Sequence, residues 1–209
     1  MSKPGVARGH LFLVTAPSGA GKTSLVRELL KDHTNLKFSI SYTTRKMRPT
    51  EQNGRDYFFV DKPEFERMVA AGEFLEHAQV FDNYYGTSRK TVEGEMAAGR
   101  DVLLEIDWQG AAQVRKLMPE AVSIFILPPS RAELERRLRS RATDDEATIA
   151  RRLQDAVGDM SHWSEFDYVV VNDDFQKAVG ELSGIVTGRG QAARADRPAL
   201  KPVVKGLLA

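Results

Sequence analysis

The stretch TAPSGAGKTSL, residues 15–25, limits what this chain can fold into more than any other segment. The apolar run HLFLVTA at 10–16 leads into it, and Leu25, Val26, Leu29 and Leu30 leave it at helical spacing. A buried strand therefore becomes a helix through a turn built on Gly19, Gly21 and Lys22. Set against the pattern G-x-x-x-x-G-K-[ST], the turn reads Ala16-Pro17-Ser18-Gly19-Ala20-Gly21-Lys22-Thr23, with Ala16 in place of the first glycine. Glycines let backbone N–H groups wrap closely around an oxyanion. The start of the following helix adds unpaired N–H groups and the favourable end of its dipole. Lys22 can reach the β- and γ-phosphates, and the Thr23 hydroxyl can hold Mg2+. The loop predicts a bound nucleotide and leaves open what receives the phosphate.

The rest of the chain repeats the theme. DVLLEID at 101–107, AVSIFIL at 121–127 and DYVVVN at 167–172 read as buried strands. WQGAAQVRKLM between the first two and DDFQKAVGELSGIV after the third read as helices. Apolar strands alternating with helices predict an α/β fold on a parallel sheet covered on both faces. Residues 37–89 break that rhythm. KFSISYTT alternates as a half-buried strand, and RDYFFV and FLEHAQVF are further strand candidates. Between those two, Asp61 as cap, Pro63 in the first turn and Glu64 three residues after the cap mark a helix start. A mixed α/β insert is expected there. At 130–155, SRAE and TDDE each match a capping box ahead of helical sequence, predicting two helices joined near 140–144. Beyond about residue 188 the chain has Gly, Pro and basic residues without a period, which predicts a flexible basic tail over 189–209.

Composition narrows the function classes. With 209 residues, 42% of them hydrophobic, the chain suits one globular unit with a real core. Lys+Arg number 30 against 29 Asp+Glu, a net charge of +1, which argues against a broad nucleic-acid footprint. There is no cysteine, hence neither disulfide nor thiolate chemistry, and an intracellular compartment fits. The early apolar run is too short for a signal peptide, and no stretch reaches bilayer-spanning length. A cytoplasmic protein is expected, with neither a membrane nor a nucleic-acid polymer as partner. His10, His33, His77 and His162 lack metal-ligand spacing and are read as structural.

Arginines supply the next clue. SYTTRKMRP puts Arg45 and Arg48 in a polar run leaving a strand, while Arg141 and Arg152 sit at the end of one helix and on the next. A guanidinium grips phosphate oxygens with paired hydrogen bonds, and phosphoryl transfer depends mostly on alignment and charge stabilisation. Arg131, Arg136 and Arg139 read instead as decoration of a solvated face beside Glu133, Glu135 and Glu146. For Arg141 and Arg152 the pattern leaves both readings open.

Taken together, APSGAGKTSL, SYTTRKMRPTEQNGRDYFFV, FLEHAQVFDNYYGTSR, LLEIDWQGA, FILPPS, RLRSRA and VVVNDD resemble bacterial guanylate kinases over about residues 9–187. The resemblance implies a P-loop kinase fold: a parallel-sheet core at 7–36, 90–129 and 156–188, a GMP-binding insert at 37–89 and a helical lid at 130–155. It implies Mg2+-dependent transfer of the ATP γ-phosphoryl group to GMP, with dGMP as a further acceptor, in purine nucleotide metabolism and GMP recycling. The ATP side falls on Ala16, Pro17, Ser18, Gly19, Ala20, Gly21, Lys22, Thr23 and Ser24, with Arg137 and Asn172, and the metal on Thr23. The GMP-phosphate clamp falls on Arg45, Arg48, Tyr57 and Tyr85, and the guanine readers on Ser41, Glu76 and Thr87. The acidic pair falls on Glu105 and Asp107, and the lid arginines on Arg141 and Arg152, the latter also facing GMP. The catalytic charges are then Lys22, Arg45, Arg141 and Arg152.

The chemistry of these assignments is coherent. Guanine presents N1–H and its 2-amino group as adjacent donors, which one carboxylate accepts together and which adenine lacks. The acceptor is a phosphate with a second pKa near ~6, so no general base is needed. A lid closing on both substrates would align them and exclude water. Three departures from the family pattern stand out: Ala16 for Gly, Glu105 where Asp is usual, and Ala142 after Arg141. None removes a charge or a donor. Two other readings compete: a non-catalytic guanylate-kinase-like module that binds proteins, and a P-loop kinase for a phosphorylated sugar. The second would have no use for Ser41 and Glu76.

Overall fold

The computed structural model describes residues 7–80, 82–140 and 145–209. In chain order the elements are β1 (Leu11–Thr15), α1 (Lys22–Asp32), β2 (Leu36–Phe38), β3 (Tyr42–Thr43), β4 (Phe58–Phe59), α2 (Lys62–Ala70), β5 (Phe74–Val80) and β6 (Asn83–Ser88). There follow α3 (Arg89–Ala97), β7 (Asp101–Glu105), α4 (Trp108–Leu117), β8 (Val122–Leu127), α5 (Arg131–Arg139), α6 (Glu146–Met160), β9 (Tyr168–Val171), α7 (Phe175–Val186) and α8 (Leu200–Leu208). The strands form a five-stranded sheet in the order β2-β7-β1-β8-β9 and a four-stranded sheet in the order β4-β3-β6-β5. The pairs β2–β7 and β8–β9 are parallel, and β7, β8 and β9 are the buried apolar strands expected of such a sheet. The chain divides into two compact units, residues 1–13 with 34–122 and residues 14–33 with 123–209.

In the first unit, the run 37–44 splits between the two sheets. β2 pairs with β7, whereas β3 pairs antiparallel with β6, so the expected single strand is two. The four-stranded sheet carries a core of its own: Phe65 and Met68 of α2 against Phe74, flanked by Tyr42, Val60, Val69 and Tyr84. Rings of Phe65 and Phe74 lie 4.7 Å apart, within the range where aromatic pairs attract. The α2 start is as expected, for the Asp61 carboxylate accepts from the Glu64 N–H at 2.9 Å with Pro63 in the first turn. Sequence reading did not foresee β6, whose NYYGTS lacks an apolar alternation.

In the second unit, Ser130 caps α5 and Asp145 caps α6. Asp145 accepts from the Thr148 N–H, while Thr143, where a capping box is expected to start, lies outside the described residues. The segment after residue 188 differs from the expected flexible tail. A short 3-10 turn, Gln191–Ala193, precedes a backbone bridge between Tyr168 and Arg194. The α8 helix then buries Leu200, Val204 and Leu207 and packs against α6. The physical reason is a helical apolar stripe, Leu200, Val204 and Leu207, interrupted in the text by Pro202 and Gly206.

Candidate active site

In the second unit the Gly-rich turn has the backbone that an anion cradle requires. Gly19 and Gly21 take φ of 90° and 94°, a region other residues avoid. Both are also crowded. A methyl on Gly21 would lie 2.5 Å from Asn172 Nδ2, and one on Gly19 would lie 2.9 Å from Leu134 of α5. α1 begins at Lys22 with no capping side chain and no acidic residue in its first turn, whereas α2, α5 and α6 have both. Its positive end is thus left for an external anion. Lys22 is half-buried, while Thr23 and Ser24 of the same turn are exposed, and Ala16 is half-buried at the loop entrance.

Two distant residues fix the loop. Asn172 is buried and donates from Nδ2 to the Ala20 carbonyl at 2.7 Å. Arg137 donates to the same carbonyl at 3.2 Å and to the Asn172 carbonyl at 3.0 Å, while its Nε holds Glu133 at 2.7 Å. The Arg136 and Arg137 guanidiniums together hold the Glu133 carboxyl down at about 2. These side chains grip the loop's backbone, a role the sequence did not suggest because the partners are one carbonyl and no side-chain motif. Arg136 pairs with Glu133, and Arg139 with Glu135 and Glu146, the solvated-face pattern expected of them. Arg152 is half-buried on α6. Arg141 lies outside the described residues, as does Ala142.

The first unit gathers two clusters. In one, the Arg45 guanidinium donates to Glu51 Oε1 at 2.7 Å and lies 5.4 Å over the Tyr57 ring. The Tyr57 and Tyr85 rings meet edge to face at 6.0 Å. Arg48 donates its backbone N–H to Glu51 at 2.8 Å. The Arg45 hydrogen bond holds the Glu51 carboxyl below its usual range, and burial pushes the Tyr57 phenol up. Glu51 was absent from the sequence reading. Its signal was the Arg48–Glu51 spacing within the same polar run. A guanidinium oriented by a carboxylate and packed over aromatic rings suits an incoming phosphate.

In the other cluster, β5 and β6 pair Glu76 with Thr87, and the Thr87 hydroxyl donates to Glu76 Oε1 at 2.6 Å. Ser41 immediately precedes β3, whose Tyr42 pairs with Gly86, the neighbour of Thr87. Asp107 caps α4 by accepting from the Gly110 N–H at 2.7 Å. Glu76 is only 5% exposed, and burial first, then the nearby Asp107 charge, pushes its carboxyl up to about 7. Among the described residues no cation pairs with it. A buried carboxylate with a hydroxyl neighbour and no cation suits a ligand that brings its own donors. Glu105 is half-buried at the end of β7, two residues before Asp107.

Comparison with known proteins shows the family. The guanylate kinase family model matches residues 8–188. The chain is 54% identical over 203 residues to a guanylate kinase of Methylococcus capsulatus, covering 97% of this chain and all of the relative. It is 60% identical over 180 residues to one from Chromohalobacter salexigens, covering 86% of this chain and 84% of that one. The crystal structure of guanylate kinase from Anaplasma phagocytophilum superposes with a TM-score of 0.73 at 36% identity, covering 95% of each chain. With family model, relatives and fold in accord, the chain belongs to the guanylate kinase family.

Proposed function

We infer a division of labour for the reaction that family membership carries, ATP + GMP giving ADP + GDP. The chain is a nucleoside monophosphate kinase. The loop at 16–24 holds the ATP phosphates through backbone N–H groups and Lys22. Arg45, Arg48, Tyr57 and Tyr85 hold the GMP phosphate, and Glu76 with Ser41 and Thr87 reads guanine. Arg152, and Arg141 beyond the described residues, complete the charge around the transferring group. Two helices at 130–155 act as the lid that excludes water.

Mg2+ fits the donors this chain supplies. Among the described residues no group of three or more His, Asp or Glu could cage a metal. Thr23 offers a hydroxyl on the first turn of α1. That set matches an ion that keeps waters and phosphate oxygens as its main ligands. When bound, Mg2+ supplies charge that stabilises the phosphates during transfer. No helix among the described residues is long and apolar enough to cross a membrane.

The observation that carries this reading is the buried Glu76–Thr87 pair. A carboxylate there accepts from guanine's two adjacent donors and would leave adenine's edge unpaired. The test is coupled ADP release with separate acceptors. GMP and dGMP should be consumed, and AMP and UMP should be turned over at least ~1,000-fold less efficiently. Comparable use of AMP would contradict the reading.

A pH dependence follows from the same residue. Guanine's donors need the carboxylate, so GMP binding must release the proton that Glu76 holds below about 7. KM for GMP should rise as pH falls from about 7 towards 5. Titration of the GMP phosphate near ~6 adds to this, and Glu76→Gln should leave only the phosphate's share. Stability runs the other way. The contribution of Glu76 is fullest below about 4.5 and is lost as pH rises through about 7. Profiles of KM against pH for the two proteins check this, and identical profiles would refute it.

A further inference from the structure

The segment DWQGAAQ at 107–113 holds two residues to which the reaction assigns no part, Gly110 and Gln113. They lie three apart on α4, hence on one face of it. That face packs on β5, the edge strand of the four-stranded sheet. Gln113 engages both backbone polar groups of a single residue of the edge strand, His77. Its Oε1 accepts from the His77 N–H at 3.2 Å, and its Nε2 donates to the His77 carbonyl at 2.9 Å. It thereby replaces one residue of the missing neighbour strand, next in sequence to Glu76. Gly110 controls the other coordinate. A methyl there would lie 2.8 Å from Glu76 Oε2 and 3.2 Å from Asp107 Oδ1.

We propose that Gln113 and Gly110 are positioning residues that set the Glu76 carboxylate for guanine recognition, Gln113 by fixing its strand and Gly110 by leaving it room. This rests on the reading of Glu76 as the residue that accepts from guanine. The pairing of Glu76 with Thr87 fixes one carboxylate oxygen at 2.6 Å. The other, Oε2, is the one facing Gly110. Its placement decides whether the carboxylate spans both N1–H and the 2-amino group or reaches only one. A shift of the strand or of the carboxylate therefore costs the 2-amino contact before it costs phosphate binding.

The readout is the ratio of kcat/KM for GMP to that for inosine monophosphate, which lacks the 2-amino group. Gln113→Leu keeps the side chain's bulk and removes both hydrogen bonds. Gly110→Ala displaces Oε2, and alanine is the better helix former, so the fold is preserved. In each, the ratio should fall by about tenfold or more, through KM for GMP, with kcat at saturation and KM for ATP near the unaltered values. Equal losses for both acceptors, leaving the ratio unchanged in both variants, would overturn the positioning role. Glu76→Gln, measured alongside, separates the two readings: it should collapse the ratio. An unchanged ratio there would overturn the assignment of Glu76 itself.

Discussion

Lys22→Ala should lower kcat by roughly a thousandfold or more while leaving the protein folded. Lys22 is the cation of the Gly-rich turn and the first residue of α1, at the helix end that no side chain caps. Its ammonium would meet charge that moves toward the β–γ bridge as the γ-phosphoryl group departs. A contact of about 4 kcal/mol made in the transition state corresponds to about three orders of magnitude in rate. Alanine is a good helix former, so the start of α1 survives the change. Thermal unfolding should stay near that of the unaltered protein. Turnover within tenfold of it would show that the turn does not carry the phosphate chemistry.

Glu76→Gln should reduce kcat/KM for GMP by roughly a hundredfold or more, with little change in ATP affinity. The glutamine amide keeps one acceptor and turns a donor toward guanine's donors, so an attraction becomes a conflict of about 3 kcal/mol. Stability should move the opposite way. Glu76 is buried and its carboxyl is pushed up to about 7, so the folded protein near neutral pH carries a costly charge. The amide removes that charge, and its carbonyl can still accept from the Thr87 hydroxyl that now donates at 2.6 Å. A melting temperature equal to or above that of the unaltered protein, with GMP use lost, is the expected pair of results. Unchanged kcat/KM for GMP would remove Glu76 from the base site.

What the sequence made legible were features with one physical solution. The turn at 16–23 needs positive φ at Gly19 and Gly21 and so announces itself. The α2 start at Asp61 needs a cap and has one. The buried strands β1, β7, β8 and β9 read directly from their apolar runs. Contacts between segments remote in sequence did not show. The grip of Asn172 and Arg137 on the Ala20 carbonyl spans 152 and 117 residues and ends on a backbone atom. Glu51 has an ordinary surface residue's context until Arg45 folds onto it. β6 was obscured because NYYGTS pairs on both sides and has no apolar alternation to betray it. α8 was obscured because Pro202 and Gly206 look like breakers. Pro202 stands in the first turn, where its missing N–H costs nothing, and the stripe through Leu207 supplies the burial.

The central claim is that ATP's γ-phosphoryl group goes to GMP and not to water. Phosphorus NMR of the purified chain with ATP, GMP and Mg2+ reads both fates in one spectrum. ADP and GDP should appear one for one, with inorganic phosphate at background and ATP untouched when GMP is left out. Inorganic phosphate rising in step with ADP, or no consumption of ATP in the presence of GMP, would contradict it.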